Sequence, residues 1–377
     1  MKLSKIIILF LSAAAASCVS QFNPDIISQK DYLTVNGLVT DENRRYSIIL
    51  GISHPLDEPA VEKPAVKARV SVSDDQGNSY NFTEKSPGKY LSDSTVFTGQ
   101  AGRSYVLSIE YNGKQYSSSL SALQPVPPID SLGYEIYDRE INASGETEKV
   151  TRVNLSTLDP AGRCHYFRWA FEETWEIHLP FNLLPIEKRY CWVSELSHNI
   201  LIANTEALSE DRITDFTLTT YNNSTDRGMY KYSMLVKQYS MSREEYEFWD
   251  KIRTMSQNTG GLYDVTPVSV NGNIQCLTDP AEVVLGFFSV SGVSYKRIFI
   301  DDRIITPDHY SDKCIDDYIT PNSTPPGLGI TVFILHATSY PGSDRAAWAI
   351  TNDIGCTDCA NFGSNIKPDY WDEGFAK

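Results

Sequence analysis

The chain lacks the short motifs by which most enzymes declare themselves. It has no Gly-x-Ser-x-Gly turn, no His-Glu-x-x-His helix, and no glycine-rich phosphate or dinucleotide loop. Each of those motifs fixes a nucleophile, a metal or a phosphate at a set spacing, so catalysis would need a site assembled from distant residues. Histidine is scarce. The six, His54, His165, His178, His198, His309 and His336, fall at no metal-ligand spacing, which favours structural roles and leaves no metal or cofactor expected. Positive charge is short too: 33 Lys and Arg against 48 Asp and Glu give a formal charge of -15, which repels nucleic acid. The apolar run Ile6 to Leu11 falls well short of the roughly 20 residues needed to span a bilayer. Between Cys18 and Cys164 there is no cysteine at all.

What is present begins at the N-terminus. Lys2 and Lys5 precede the apolar run, and Ala15-Ala16-Ser17-Cys18 forms a small-residue cleavage site ending on cysteine. This is the pattern of a bacterial lipoprotein signal, with residues 1–17 removed and Cys18 acylated, palmitate among its chains. Several acyl chains hold a protein to a membrane far more firmly than one. Loss of the two leader lysines takes the formal charge to -17 over 360 mature residues.

Six cysteines follow: Cys164, Cys191, Cys276, Cys314, Cys356 and Cys359. An even number in an exported chain predicts disulfides, all in the second half, with fifteen pairings open. Cys356-Thr357-Asp358-Cys359 is compatible with a redox pair, half a zinc site, or two cysteines bonded to different partners. The loop residues and chain end that follow it favour the last.

Punctuation divides the chain. Residues 18–29 read as a lipidated tether. Residues 30–123 read as about seven short strands separated by Gln76-Gly77-Asn78, Pro87-Gly88, Ala101-Gly102 and Asn112-Gly113, an immunoglobulin-like or transthyretin-like β-sandwich. Residues 124–129, Gln-Pro-Val-Pro-Pro-Ile, read as a stiff linker. Residues 130–377 read as a larger β-rich domain with longer, aromatic strands, and tyrosine, at 22, suits such pleated surfaces. The fold class is therefore mainly β. One helix is predicted over 242–257: Ser242 and Glu245 have capping-box spacing, Met241 and Tyr246 staple positions, and 258–261 (Asn-Thr-Gly-Gly) a stop. Trp249 and Tyr246 read as packing anchors. The carboxylate pairs Glu172-Glu173, Asp301-Asp302 and Asp316-Asp317 are sequence neighbours that point to opposite faces of a strand, which is not how a glycosidase pair faces a sugar. No catalytic residue is assigned.

Taken in order, several stretches carry a resemblance. They are Phe22-Asn23-Pro24, Leu33 to Thr40, Val126 to Leu132, Phe171 to Ile177, Cys191-Trp192 and Tyr239 to Tyr246. Gly260 to Asp264, Gly272-Asn273-Ile274, Leu285 to Phe288, Lys296 to Ile300, Cys356 to Cys359 and Lys367 to Trp371 follow. In this order and spacing the chain resembles the Bacteroidetes lipoprotein family called domain of unknown function 4249. That resemblance implies an outer-membrane lipoprotein, at the cell surface more than the periplasmic face, encoded beside a TonB-dependent, SusC-like transporter. It carries over no catalytic residue. The expectation is a non-enzymatic accessory that captures or passes on a small glycan or peptide. The alternatives are a surface glycan or peptide hydrolase without a visible motif, and a structural or adhesion lipoprotein.

Overall fold

Local chemistry accounts for the first strands: apolar residues alternate with polar ones, and turn residues separate them. A computed structural model describes residues 31–53, 63–179, 181, 183–257, 270–301, 314–320, 333–339 and 341–375. Cys18, the leader, the tether, His54, His309 and the helix stop at 258–261 lie outside the described residues. The N-terminal third supplies β1 (Leu33–Thr40), β2 (Ser47–Ile52), β3 (Lys63–Pro64), β4 (Arg69–Asp74), β5 (Ser79–Ser86) and β6 (Lys89–Leu91). β7 (Ser104–Tyr111), β8 (Lys114–Ser118) and β9 (Ser121–Ala122) complete it. The turn between β7 and β8 shows how the residues dictate the hairpin. Asn112 and Gly113 both take positive φ, 50° and 76°, so Tyr111 pairs directly with Lys114.

The inward positions of these strands, among them Leu33, Val35, Ile48, Leu50, Val70, Val72, Leu107 and Ile109, form one buried core. Phe97 sits within it, stacked on Tyr80 at 4.4 Å and edge-on to Tyr46, Phe82 and Tyr105. That accounts for part of the tyrosine content.

The rest of the chain contributes β10 (Ile129–Glu140), β11 (Thr147–Leu158), β12 (Tyr166–His178), β13 (Tyr190–Leu196), β14 (Leu201–Asn204), β15 (Arg212–Asn222) and β16 (Tyr232–Ser240). Helix α1 (Arg243–Gln257) follows, then β17 (Ile274–Cys276), β18 (Val284–Ser291), β19 (Val293–Ile300), β20 (Asp317–Ile319), β21 (Phe333–Ser339), β22 (Ala346–Thr351) and the short α2 (Trp371–Phe375). The molecule is mainly β, with several sheets and one prominent helix.

Its topology departs from a simple string of modules. The first sheet runs β17-β8-β7-β4-β5-β6-β2-β1-β18, so both edge strands come from one late segment, 274–291. β18 lies parallel to β1 over its whole length, from Leu33 opposite Val284 to Thr40 opposite Ser291, while β17 pairs antiparallel with β8. The two edges then meet. Asn271 bridges Leu285, and the buried Asn273 amide donates to the Phe288 carbonyl and accepts from the Phe288 N–H, both at 2.9 Å. A side-chain amide thus supplies a rung that nearly closes the sheet into a barrel.

The crossing is tight enough to exclude side chains. A Cβ on Gly272 would lie 1.4 Å from the Gly286 carbonyl oxygen, and one on Gly286, whose φ is +95°, 1.9 Å from the Val35 oxygen. Residues beyond 130 therefore complete the N-terminal sheet, and the halves read as separate in sequence are interlocked in space. The proline-rich segment is correspondingly no free spacer. Gln124 O accepts from Ser240 Oγ at 2.6 Å, and Pro127 O from Gln238 Nε2 at 2.8 Å and Ser294 Oγ at 2.9 Å. These two carbonyls accept from three side chains of neighbouring strands, which pins the segment instead of leaving it extended in water.

The second core lies between the sheet β13-β12-β16-β19, with β14 beside β12, and the three-stranded sheet β10-β11-β15. Phe167, Trp169, Phe171, Trp175 and Ile177 alternate along β12 into it and meet Val153, Leu155 and Leu218. The sheet β20-β22-β21 adds a third face near the C-terminus.

Candidate functional site

The cysteines settle into two kinds. Cys191 bonds Cys359 and Cys314 bonds Cys356, so the Cys-x-x-Cys residues serve different partners and neither a redox pair nor a zinc half-site forms. Both bonds tie the C-terminal tail down. Trp192 and Ser364 exchange backbone hydrogen bonds at 2.8 Å, Tyr370 OH donates to Thr174 Oγ1 at 2.9 Å, and Trp371 Nε1 donates to Glu176 Oε2 at 3.0 Å. Cys164 and Cys276 correct the expectation of a full disulfide set. Each is free and buried, Cys164 in the second core and Cys276 in the first, so they cannot reach each other. Burial, helped by Asp159, pushes the Cys164 thiol up to about 12, which keeps it protonated and unreactive.

Helix α1 joins the two cores. Ser242 Oγ accepts from the Glu245 N–H at 3.1 Å, the first half of the expected capping box. The second half is replaced: the Glu245 side chain turns inward, where Oε1 accepts from Ser289 Oγ on β18 at 2.7 Å and from Trp249 Nε1 at 3.2 Å. Arg168 on β12 approaches with Nε at 3.9 Å, its guanidinium 4.8 Å from the Tyr239 ring centroid and 5.4 Å from that of Trp249. Met241, Tyr166 and Ile202 pack with Tyr246 and Trp249 beneath the helix, as the staple and anchor readings expect. Glu245 is thus a fully buried carboxylate holding helix, barrel edge and second sheet together.

Burial raises the Glu245 carboxyl above the ordinary glutamate range, with Arg168, Ser289 and Trp249 pulling against it. The folded state then binds this proton more tightly than the unfolded chain, so the Glu245 contribution to stability is present at low pH and is lost as pH rises above about 4.5. Glu245→Gln removes that titration. Its melting temperature, relative to wild type at each pH, should move upward between pH 4 and pH 8 in thermal scans; a constant difference would contradict the buried ionisation.

A second ionic cluster lies on β12 and β13. Glu173 and Glu195 face each other across the strand pair, and Arg227 sits between them, its Nε donating to Glu173 Oε1 at 2.9 Å and a terminal nitrogen to Glu195 Oε2 at 2.5 Å. Tyr232 OH donates to Glu173 Oε2 at 2.8 Å, and the guanidinium lies 4.3 Å over Trp175. Burial and the Glu173 charge hold the Tyr232 phenol well above its usual range. These carboxylates hold an arginine and do not flank an open cleft. Glu172, half-buried, points to the face opposite Glu173.

The three histidines whose side chains are described lie apart from one another. His165 Nδ1 lies 2.7 Å from Asp211, His178 pairs with Glu176 and stacks on Tyr230 at 3.7 Å, and His198 lines a cleft of about 670 Å3 with Ile200, Ile252 and Arg253. Among the described residues no three His, Cys, Asp or Glu are grouped to hold a metal. Arg168, Ser289 and Arg227, which organise these clusters, carry no motif; only their partners' burial distinguishes them.

Fold and clusters together define a class: a mainly β protein closed by two disulfides, with buried ionic clusters that tie its two cores together. Within that class the chain belongs to the family described as domain of unknown function (DUF4249), whose family model matches residues 19–297. The match ends inside β19, so it includes both barrel-closing strands and leaves Cys314, Cys356 and Cys359 beyond it. No curated protein matches the chain.

Proposed function

We propose that this protein is an outer-membrane lipoprotein, acylated at Cys18, that acts without catalysis beside a TonB-dependent, SusC-like transporter and captures or passes on a small glycan or peptide. The observation that carries the reading is the lipobox placed directly ahead of a β body with two disulfides, a combination suited to an oxidising, extracytoplasmic setting. Twelve tether residues reach at most about 40 Å, which holds the barrel close to the bilayer and to any barrel protein within it. Interlocked cores supply a stiff body on such a short leash, and the family model spans the tether and both cores as one unit, from residue 19 to 297.

Cys18→Ala should abolish incorporation of labelled palmitate and release the folded protein from washed membranes, with its melting curve unchanged. A variant still firmly membrane-bound and labelled would overturn the anchor.

A further inference from the structure

The sheet β13-β12-β16-β19 has a second face, turned away from the core, that is covered at both ends and open between them. Alternation along β12 sends Trp169, Phe171 and Trp175 into the core and Arg168, Ala170, Glu172 and Thr174 to this other side. At one end α1 lies over the face, with the Trp249 ring on Arg168. At the other the C-terminal tail crosses it: Tyr370 bonds to Thr174, its ring centroid lies 3.6 Å from the Arg297 guanidinium, and Gly374 sits against Phe299. Two rows of paired residues remain between these covers. Glu172, Leu235 and Arg297 stand opposite one another on β12, β16 and β19, and Ala170, Lys237 and Tyr295 form the next row. Leu196, 67% exposed, extends the first row onto β13.

The charges of this strip are unmatched. Glu172 and Lys237 make no ion pair among the described residues, and Arg297 donates to Ser233 Oγ at 3.0 Å but meets no carboxylate there. Other charged side chains of these sheets are paired, Arg152 with Glu135 and Arg227 with Glu173 and Glu195. Leu235 keeps Glu172 and Arg297 apart by two strand spacings, about 9.5 Å. Lys237 lies one strand and one row from Glu172 and from Arg297, a diagonal of about 7 to 8 Å. Tyr295 orients it: the phenol donates to Glu42, which fixes the ring, and the Lys237 Nζ lies 5.5 Å from the ring centroid. An ammonium held by a ring is directed without being neutralised. Arg168, whose charge faces Glu245 under the helix, stands outside the strip.

An unpaired anion and two unpaired cations, set about 9.5 Å apart across an apolar residue, match a ligand that carries both signs at that separation. A neutral glycan would leave both signs unanswered, and a simple anion would meet Glu172. An extended peptide covers at most about 3.3 to 3.6 Å per residue, so three residues set a terminal ammonium and a terminal carboxylate about 10 Å apart. Two residues fall short. From this geometry we infer that the strip binds a peptide of about three residues by its two free ends, with the α-ammonium at Glu172, the α-carboxylate between Lys237 and Arg297, and the middle side chain against Leu235 and Tyr295. This deepens the capture reading by choosing peptide over glycan, and rests on it only for where the peptide comes from.

The test titrates the full mature protein in detergent with alanyl-leucyl-alanine by calorimetry and saturation-transfer NMR. The tripeptide should bind at least tenfold more tightly than alanyl-alanine and than its own N-acetylated or C-amidated forms. Glu172→Gln should weaken the free tripeptide at least tenfold and the acetylated one no further, and Lys237→Met should behave likewise toward the amide, because each pair of changes removes the same contact. Both variants replace partly exposed side chains and should melt near wild type. No binding of the tripeptide, capped forms that bind as well as the free one, or losses that add would overturn the site. Peptide binding without a co-purifying transporter would keep the site and remove the accessory role, and a transporter without peptide binding would do the reverse, so the two readings fail separately.

Discussion

Gly272→Val should prevent the first sheet from closing and should lower stability by more than about 4 kcal/mol, a size reached only by a few mechanisms. The steric argument is direct. Any Cβ at 272 falls on the Gly286 carbonyl, and Gly286 is itself pressed against Val35 and cannot retreat, so relief requires the 271–273 segment to part from β18. Neighbouring flexible side chains cannot absorb the clash because the obstructing atoms are backbone. Separation would also cost the two Asn273 hydrogen bonds to Phe288 and would uncover the Val284, Phe288 and Val290 side chains. Urea denaturation should show a lost or early first transition. Gly133→Val on β10 is the control: a Cβ at Gly133 would meet nothing within 4 Å, so the same substitution there should leave the midpoint near wild type, and a Gly272→Val protein as stable as that control would contradict the crossing.

Cys191→Ser should produce a loss of similar size. The Cys191 to Cys359 bond spans 168 residues, and the chain-entropy relation assigns such a loop about 5 kcal/mol, against about 4 for the 42 residues between Cys314 and Cys356. Removing the longer bridge frees the tail that β13 holds through Ser364 and that Glu176 and Thr174 hold through Trp371 and Tyr370. Hydrogen exchange should therefore quicken first at 190–196 and 354–375, while β4 and β7 in the barrel stay protected. A denaturation midpoint unchanged from wild type would show that the bridge constrains little.

Much of the fold is legible in the sequence wherever its cause is local. The hairpins of residues 33–118 follow from alternating apolar residues and from Asn112-Gly113 and Pro87-Gly88, and α1 follows from Ser242 and the helical spacing of Glu245, Trp249 and Ile252. What escapes a sequence reading is long-range. Val284–Ser291 is apolar on both faces, as any central strand would be, and nothing in it names β1 as its parallel neighbour. The role of 124–129 as a pinned segment depends on Gln238 and Ser240 arriving from β16. Cysteine pairing fails for the same reason, since Cys276 belongs to the barrel core although it follows the linker. Glu245 shows a subtler limit: its spacing from Ser242 predicts a cap, and only the presence of Ser289 and Arg168 turns the carboxylate inward.

In the proposed reading, the cores and disulfides form a stiff body that an acylated Cys18 would hold close to the outer membrane beside a transporter partner. Affinity purification of the tagged protein from gently solubilised outer membranes, with mass spectrometry of what co-elutes, tests it most directly. The account predicts a TonB-dependent barrel in near-equal amount, retained by wild type and lost with Cys18→Ala. Repeated recovery of the lipoprotein alone would contradict it.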